Sequence, residues 1–395
     1  MIKRIEFENY RIFRRRQVLE IKPLVIVFGK NNSGKSAVIK LPVFVRSSFS
    51  NKSGEVIDPS FMGNNSEDDL KGLVYNKANK AIGISVEGDD GTRLEYSFFV
   101  DELKQPKTKI DSWLIERNGS VMSVHTGLDG EYHQGETNDP IAGLQFNGLV
   151  PSDELLGTPF KECINSLKYQ IDYIGAFRKL PEAYPQLSTL TECSGLDGGK
   201  NYNHLIADSK TSEQILCKQV SQWYEDNFDG WGVYVNRDRE PVYSIELRTK
   251  TLKSNISDTG IGIGQSMPVV IRACRKCKEP TLIILEEPET HLHPAAHANL
   301  AQLLAESAMK DQNKHYMIET HSINFILRIR RMVAEGLLNA DDVALYCVVY
   351  DRVSSSSDLM KVELNSDGSV GNWPEGIFEE TLQETIAIRK AQIKE

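Results

Sequence analysis

The chain has 395 residues, 40% apolar and 26% charged, a balance that fits an ordinary globular protein and excludes fibrous and disordered classes. No apolar run reaches the roughly 18 to 20 residues that a membrane span needs, and MIKRIEFENY has no secretory core, so a cytoplasmic location is expected. A net charge of -9 speaks against wholesale coating by nucleic acid, and six cysteines without framework spacing (163, 193, 217, 274, 277, 347) read as reduced thiols.

In chain order, the alternation in IKRIEF, QVLEIK and LVIVF predicts three strands, the last running into FGKNNSGKS at 28 to 36. A helix follows over Lys35 to Phe44, and Pro42 is expected to kink or end it. Residues 46 to 70 are polar and read as a loop. AIGISVEG with TRLEYSFFV, and IDSWLIER with VMSVHT, are joined by Asp-Asp-Gly and Asn-Gly, which is hairpin chemistry. Residues 152 to 170 and 203 to 228 read as helices, and GVYVNRDREPVYSIEL as a further hairpin. From TLIILEE onward the pattern is strand, helix, strand, helix, the signature of a parallel sheet with crossover helices. There are no sustained heptads between the glycine loop and residue 250, so long coiled-coil arms are not expected. The expected fold class is α/β: a nucleotide-binding head split into 1–50 and 241–345, with an inserted α+β region of antiparallel strands over 51–240, and a small unit over 346–395.

Four short segments carry chemistry. Gly29, then Lys30, Asn31, Asn32 and Ser33, then Gly34, Lys35 and Ser36 fit the loop whose backbone N–H groups surround phosphates. Lys35 would neutralise the β and γ phosphates of ATP, and Ser36 would ligate Mg2+. LIILEEPETHLHP ends a buried strand in two acids, of which Glu286 is assigned to the metal shell and Glu287 to the attacking water. IETHS places His321 at another strand end, where an imidazole can hydrogen-bond a γ-phosphate. GIGIGQS puts Gly262 and Gly264 ahead of a helix expected to begin near Gln265, an anion-ready terminus. Each has a plain alternative: a glycine turn, an acidic surface turn stopped by Pro288, a structural histidine.

Other signals carry less. His293 and His297 stand i,i+4 near His291, as zinc ligands can, and Cys274 and Cys277 form a lone C-x-x-C. Basic clusters at Arg14 to Arg16, at Arg272, Arg275, Lys276 and Lys278, and at Arg328, Arg330 and Arg331 read as solvated faces, with nucleic-acid contact as the functional alternative. Arg178 is a candidate arginine finger.

In order and spacing, GKNNSGKS, GIGIGQS, LIILEEPETHLHP and ETHS together resemble the ABC-type ATPase heads of the RecF, SMC and OLD (overcoming lysogenization defect) group, with EEPETHLHP and ETHS closest to the OLD-like branch. DGSVGNWPEGIFEE resembles a C-terminal domain of unknown function found on ATPases of that branch. The resemblance implies a homodimer, or a higher even oligomer, that sandwiches ATP and Mg2+. Gly34, Lys35 and Ser36 of one copy would face Gly262, Gly264 and Gln265 of the other, with Glu286 as metal-side acid, Glu287 as catalytic acid and His321 as switch histidine. HLHP would sit at the dimer contact. The resemblance further implies a switch that controls a separate effector, a nuclease or toxin, in bacterial defence against phages. Several relatives append a Toprim nuclease, which the residues after His321 are too few to form. Ile261 and Ile263 stand where the family signature has Leu and Gly flanking its serine, so that serine is missing and hydrolysis is expected to be slow. The alternatives are a DNA clamp or scaffold with little turnover and, further off, the ATPase subunit of a membrane transporter.

Overall fold

The computed structural model describes residues 1–49, 55–57, 67–101, 107–135, 140–152 and 158–392. Six strands form one sheet in the order Gln170–Ile174, Thr281–Glu286, Lys314–Glu319, Leu24–Gly29, Val343–Asp351, Ser356–Val362. The first five run parallel and the sixth returns antiparallel. Continuous apolar runs such as LVIVF suit a strand covered on both faces. Val25 and Val27 enter one core, while Leu24, Ile26 and Phe28 enter the other.

The first core lies under a seven-stranded antiparallel sheet, in the order Gln17–Glu20, Ile2–Glu8, Ile82–Gly88, Arg93–Asp101, Lys107–Arg117, Ser120–Thr126, Tyr132–Gln134. Its inner side chains, among them Phe7, Phe98 and Trp113, share that core with the helix Lys35–Ser48. On the opposite face the helices Ile261–Cys274, Pro294–Lys310 and Ile323–Ala334 fill the second core. A three-stranded sheet of Gly232–Arg239, Val242–Arg248 and Lys253–Asn255 flanks them.

The α/β class and the three hairpins form as expected. The sheets do not respect the expected boundaries. Strands between 82 and 134 extend the sheet begun by Ile2–Glu8, and Gln170–Ile174 edges the parallel sheet, so 51–240 is no body apart. The boundary at 346 falls inside the strand Val343–Asp351. Pro42 does not end its helix, which runs on to Ser48. Proline inside a helix costs about 3 kcal/mol, but burying Leu41, Phe44 and Val45 is worth about 1.5–3 kcal/mol each, which outweighs it.

The helix expected over 203–228 is two, Asn201–Ser209 and Ile215–Asn227. Side chains between them bond to nearby backbone instead of continuing the ladder: Thr211 Oγ1 to the Asp208 carbonyl (2.8 Å), and the Asp208 carboxylate to the Cys217 amide (2.8 Å). The expected 152–170 helix spans only Thr158–Ser166 among the described residues, and its end is the strand Gln170–Ile174. The loop expected at 46–70 lies largely outside the described residues, apart from the end of the helix Lys35–Ser48, residues 55–57 and the start of a 3-10 turn at Glu67–Leu73.

The edge strand is tied to the helix Ile261–Cys274 by Asp172, which is buried and accepts from the Ser194 amide (2.7 Å), the Ser194 hydroxyl (2.8 Å) and Arg272 Nε. Asp172→Ala leaves the buried Arg272 guanidinium without its counter-charge. The expected loss of unfolding free energy is about 3–5 kcal/mol, read from urea midpoints, and a loss below about 1 kcal/mol would show the pair to be dispensable.

Candidate functional site

The glycine loop leaves the strand Leu24–Gly29 with backbone that only glycine tolerates. Gly29 has φ 144, and a Cβ there would stand 2.5 Å from the Val348 carbonyl oxygen; Gly34 has φ 106. The loop is pinned from outside by the Ser357 hydroxyl, which donates to the Ser33 carbonyl at 2.6 Å. Lys35 points inward, 4% exposed, and donates to the Lys30 carbonyl across the loop at 2.8 Å. No side chain caps the helix at Gly34, which leaves its N-terminus open to an anion. Ser33 Oγ is buried without a protein partner, 3.3 Å from where a Cβ at Gly29 would stand.

Strand register then sets the acids. Glu286 stands opposite Glu319, and Glu319 opposite Val27 of the loop strand. Glu319 is not among the residues that the sequence singles out, yet it is the carboxylate beside Ser36, whose hydroxyl lies 3.1 Å from Oε2 and 3.3 Å from Oε1. Lys35 Nζ is 4.0 Å from Oε1. Burial pushes Glu319 up to about 7, with Lys35 opposing and Glu286 adding to the rise, and burial likewise pulls Lys35 below the usual lysine value. Glu286, expected beside Ser36, instead accepts from the Tyr173 hydroxyl (2.5 Å) and lies 3.6 Å from Lys40. Burial, then Glu286 itself, holds the Tyr173 phenol protonated far above its ordinary range.

Glu287 occupies the left-handed region, φ 42, a strained geometry that needs external support. Its amide donates to the Glu319 carbonyl at 2.8 Å, and its Oε2 accepts from Thr290 Oγ1 at 3.0 Å. Oε1 lies 3.7 Å from His321 Nε2. Burial, then Lys35, lowers the imidazole below its ordinary value, with Glu287 opposing. A further acid, Glu289, is buried and fixes the histidine segment by accepting from Thr320 Oγ1 (2.5 Å) and the His321 amide (2.9 Å). Donor atoms of Glu287, Glu319 and His321 lie within 4.8 Å of one another.

Arg178 is not a finger aimed at phosphate. It is buried, and its guanidinium donates to the carbonyls of Glu286 (2.5 Å), Glu287 (2.7 Å) and Gln265 (3.4 Å). Burial pulls it down to about 10, so it stays charged at neutral pH. The glycine helix begins at Ile261, not near Gln265, which places Gly262 and Gly264 in its first turn. The Gln265 side chain is buried and committed within the chain: Nε2 donates to the Arg178 carbonyl (2.8 Å) and Oε1 accepts from the Arg178 amide (3.1 Å). Gly262 packs on the HLHP turn, where a Cβ would come 2.4 Å from the His291 carbonyl.

His293 caps the helix Pro294–Lys310, and both nitrogens of His297 are engaged, by Ser322 Oγ (2.8 Å) and the Leu292 carbonyl (3.0 Å). Those two imidazoles do not converge on an ion. Cys277 Sγ accepts from Arg272 at 3.1 Å, and burial pushes the Cys274 thiol up to about 11. All six cysteines are free thiols. Two basic clusters are solvated only in part: Arg272 and Arg275 are buried, Arg328 bonds Gln302 and Arg330 bonds the Gly368 carbonyl, while Lys276, Lys278 and Arg331 are exposed. Arg14 and Arg15 are exposed.

Residues 155–326 match a family model described as an AAA ATPase domain. No curated protein matches the sequence. Among solved structures, an SMC head domain from Thermotoga maritima aligns at 12% identity and TM-score 0.42, covering 92% of this chain and 99% of that one. An SmcHead bound to the C-winged helix domain of ScpA gives 11%, 0.49, 92% and 98%. An Smc head with an extended coiled coil, bound to the C-terminal domain of ScpA and derived from Pyrococcus furiosus, gives 10%, 0.46, 98% and 99%. These overlaps are loose, and the fold is defined by the strand order itself. The matched segment holds Arg178, Gln265, Glu286, Glu287, Glu319 and His321, while the glycine loop lies outside it and is brought to them by the register of the parallel sheet. Over residues 155–326, then, the chain is similar to an AAA ATPase domain.

Proposed function

We propose that the chain is an ABC-type nucleotide switch that binds Mg2+·ATP at the 29–36 loop and hydrolyses it slowly when two copies close around it. The observation that carries this reading is the placement of Lys35, Ser36, Glu287 and His321 at the ends of three adjacent parallel strands, within one small charged space. When bound, ATP and Mg2+ supply the phosphoanhydride and offset the charge that three carboxylates would otherwise oppose. The residues fit them: a loop whose glycine backbone leaves no room for a Cβ, an orphaned Ser33 hydroxyl, and hard oxygen donors beside Ser36.

In this reading Lys35 exchanges the Lys30 carbonyl for phosphate oxygens, which are better partners for a buried ammonium. Glu287 holds the attacking water and takes its proton, and His321, 3.7 Å away, orients the same space. A signature turn without its serine, and with Gln265 committed to Arg178, leaves only backbone donors and the helix dipole for a partner's phosphate, which supports slow turnover. Phe177 (94% exposed), Leu180 and Ile261 lie exposed in and around that turn's contacts, an apolar surface suited to being covered by a second copy. A separate effector, a nuclease or toxin of phage defence, is proposed from the sequence resemblance alone.

Glu287→Gln is expected to reduce ATP turnover at least about 100-fold while retaining bound ATP, and to run as a dimer by light scattering with ATP and Mg2+. Turnover equal to wild type would remove Glu287 from the reaction, and single chains at every concentration would remove the dimer. Arg178→Met frees the acid turn from the signature helix. Turnover should fall about 10–100-fold with KM changed less than about threefold, whereas a merely structural arginine would alter melting temperature and leave that ratio alone.

A further inference from the structure

Resting on the ATPase reading above, we propose that Glu319, and not Glu286, is the carboxylate that holds the divalent cation beside Ser36. The geometry of the pair is already that of a metal edge. Mg2+ sits about 2.0–2.1 Å from each oxygen in a near-octahedral shell, so two adjacent ligand oxygens are about 3 Å apart. Ser36 Oγ and Glu319 Oε2 are 3.1 Å apart, and Oε1 is 3.3 Å away. A cation bound to Ser36 Oγ therefore meets the Glu319 carboxylate without any movement of the strand Lys314–Glu319.

Glu286 starts from a different position. Its Oε1 accepts from Tyr173 and faces Lys40 at 3.6 Å, so that oxygen is spent on a hydrogen bond and an ion pair, and only Oε2 is left to it for a cation, whereas both oxygens of Glu319 already lie beside Ser36. Its neighbour Glu287 shares the space, with ligand atoms of Glu287, Glu319 and His321 within 4.8 Å of one another, but its Oε2 is engaged by Thr290 and its Oε1 lies 3.7 Å from His321.

Charge balance points the same way. Glu319 is 4% exposed, and its cationic neighbour is Lys35, 4.0 Å off. Once Lys35 turns to phosphate oxygens, a buried carboxylate stands alone among Glu286 and Glu287, an arrangement that costs several kcal/mol in general unless a cation replaces the lysine. A divalent ion on Ser36 and Glu319 restores that counter-charge at the moment it is lost. Glu286 is left to hold the Tyr173 phenol and Lys40 at the edge of the space.

The test uses the full chain with Mn2+ as the probe cation and adenylyl imidodiphosphate as a non-hydrolysable ATP analogue, and reads bound Mn2+ by electron paramagnetic resonance. Glu319→Gln is expected to weaken Mn2+ binding at least about tenfold, and Glu286→Gln to stay within about twofold of wild type. Analogue binding in EDTA should be undiminished in Glu319→Gln, which separates cation loss from loss of the nucleotide pocket. A Glu319→Gln affinity within twofold of wild type, or a larger loss in Glu286→Gln, overturns the proposal. Should Glu319→Gln fail to fold, Glu319→Asp carries the same test, because its carboxylate is one methylene short of Ser36; a loss of threefold or more supports the assignment and an unchanged affinity overturns it. Wild-type protein that takes up neither analogue nor Mn2+ sinks the ATPase reading and this inference with it, an outcome distinct from a reversed ranking of the two glutamates.

Discussion

The site depends on a single row of backbone. Glu286, Glu319 and Val27 stand opposite one another in three neighbouring parallel strands, so the chain turns out of the sheet at three adjacent points into the acid turn, the histidine segment and the glycine loop. Everything charged at the site is drawn to that edge by register and not by local sequence. The consequence is electrostatic crowding, with Glu287 and Glu319 sharing the charge of Lys35 and Glu286 beside them on Lys40, and with Lys35 and Glu319 nearly enclosed. Burial drives Glu319 and Lys35 toward their neutral forms, which is the behaviour of a site whose counter-charges arrive with a ligand.

Rigid supports surround this edge, and each comes from a distant part of the chain. Ser357 holds the loop through the Ser33 carbonyl, Glu289 holds the His321 amide, and Arg178 holds the carbonyls of Glu286 and Glu287. The strained backbone of Glu287 is over-determined in this way: its amide, its carbonyl and one carboxylate oxygen are all engaged. Strain of that kind, costing of order 1–3 kcal/mol, persists only where neighbours fix it.

What can be read from sequence is what local pattern encodes. The glycine loop, the apolar strand ending in Glu286 and Glu287, and the strand before His321 are each contiguous, so composition and spacing place them. Glu319 is hidden behind its neighbour His321, which carries the more familiar chemistry, and nothing in IETHS alone shows that this strand borders the loop strand. A carboxylate directly at the end of a strand, two residues before a candidate histidine, is the available signal. Arg178 is noticed in the sequence as a candidate finger, but its contacts are not legible there, since its partners are backbone carbonyls, which have no sequence signature. Tyr173 and Asp172 lie in a segment without a motif, yet one binds Glu286 and the other Arg272. Gln265 shows the opposite failure, a motif residue whose pattern suggests presentation outward and whose side chain is spent inward.

That inward commitment bears on how two sites could communicate. Arg178 grips the signature helix at Gln265 through three hydrogen bonds, two by its own backbone and one by its guanidinium, and the acid turn through two more. A guanidinium offers its donors in a fixed planar fork, so the two gripped elements cannot shift independently without breaking charge-assisted bonds in a buried setting. In the proposed dimer the signature turn of one copy faces the partner's nucleotide while the acid turn of that same copy serves its own. Displacement of Gly262 and Gly264 on closure would then be carried to Glu287 through one side chain. The absence of a serine from Ile261-Gly262-Ile263-Gly264-Gln265 and the commitment of Gln265 fit this proposed division of labour: the turn would keep its backbone donors for the partner's phosphate, while the Gln265 side chain is given to the Arg178 link that holds Glu287.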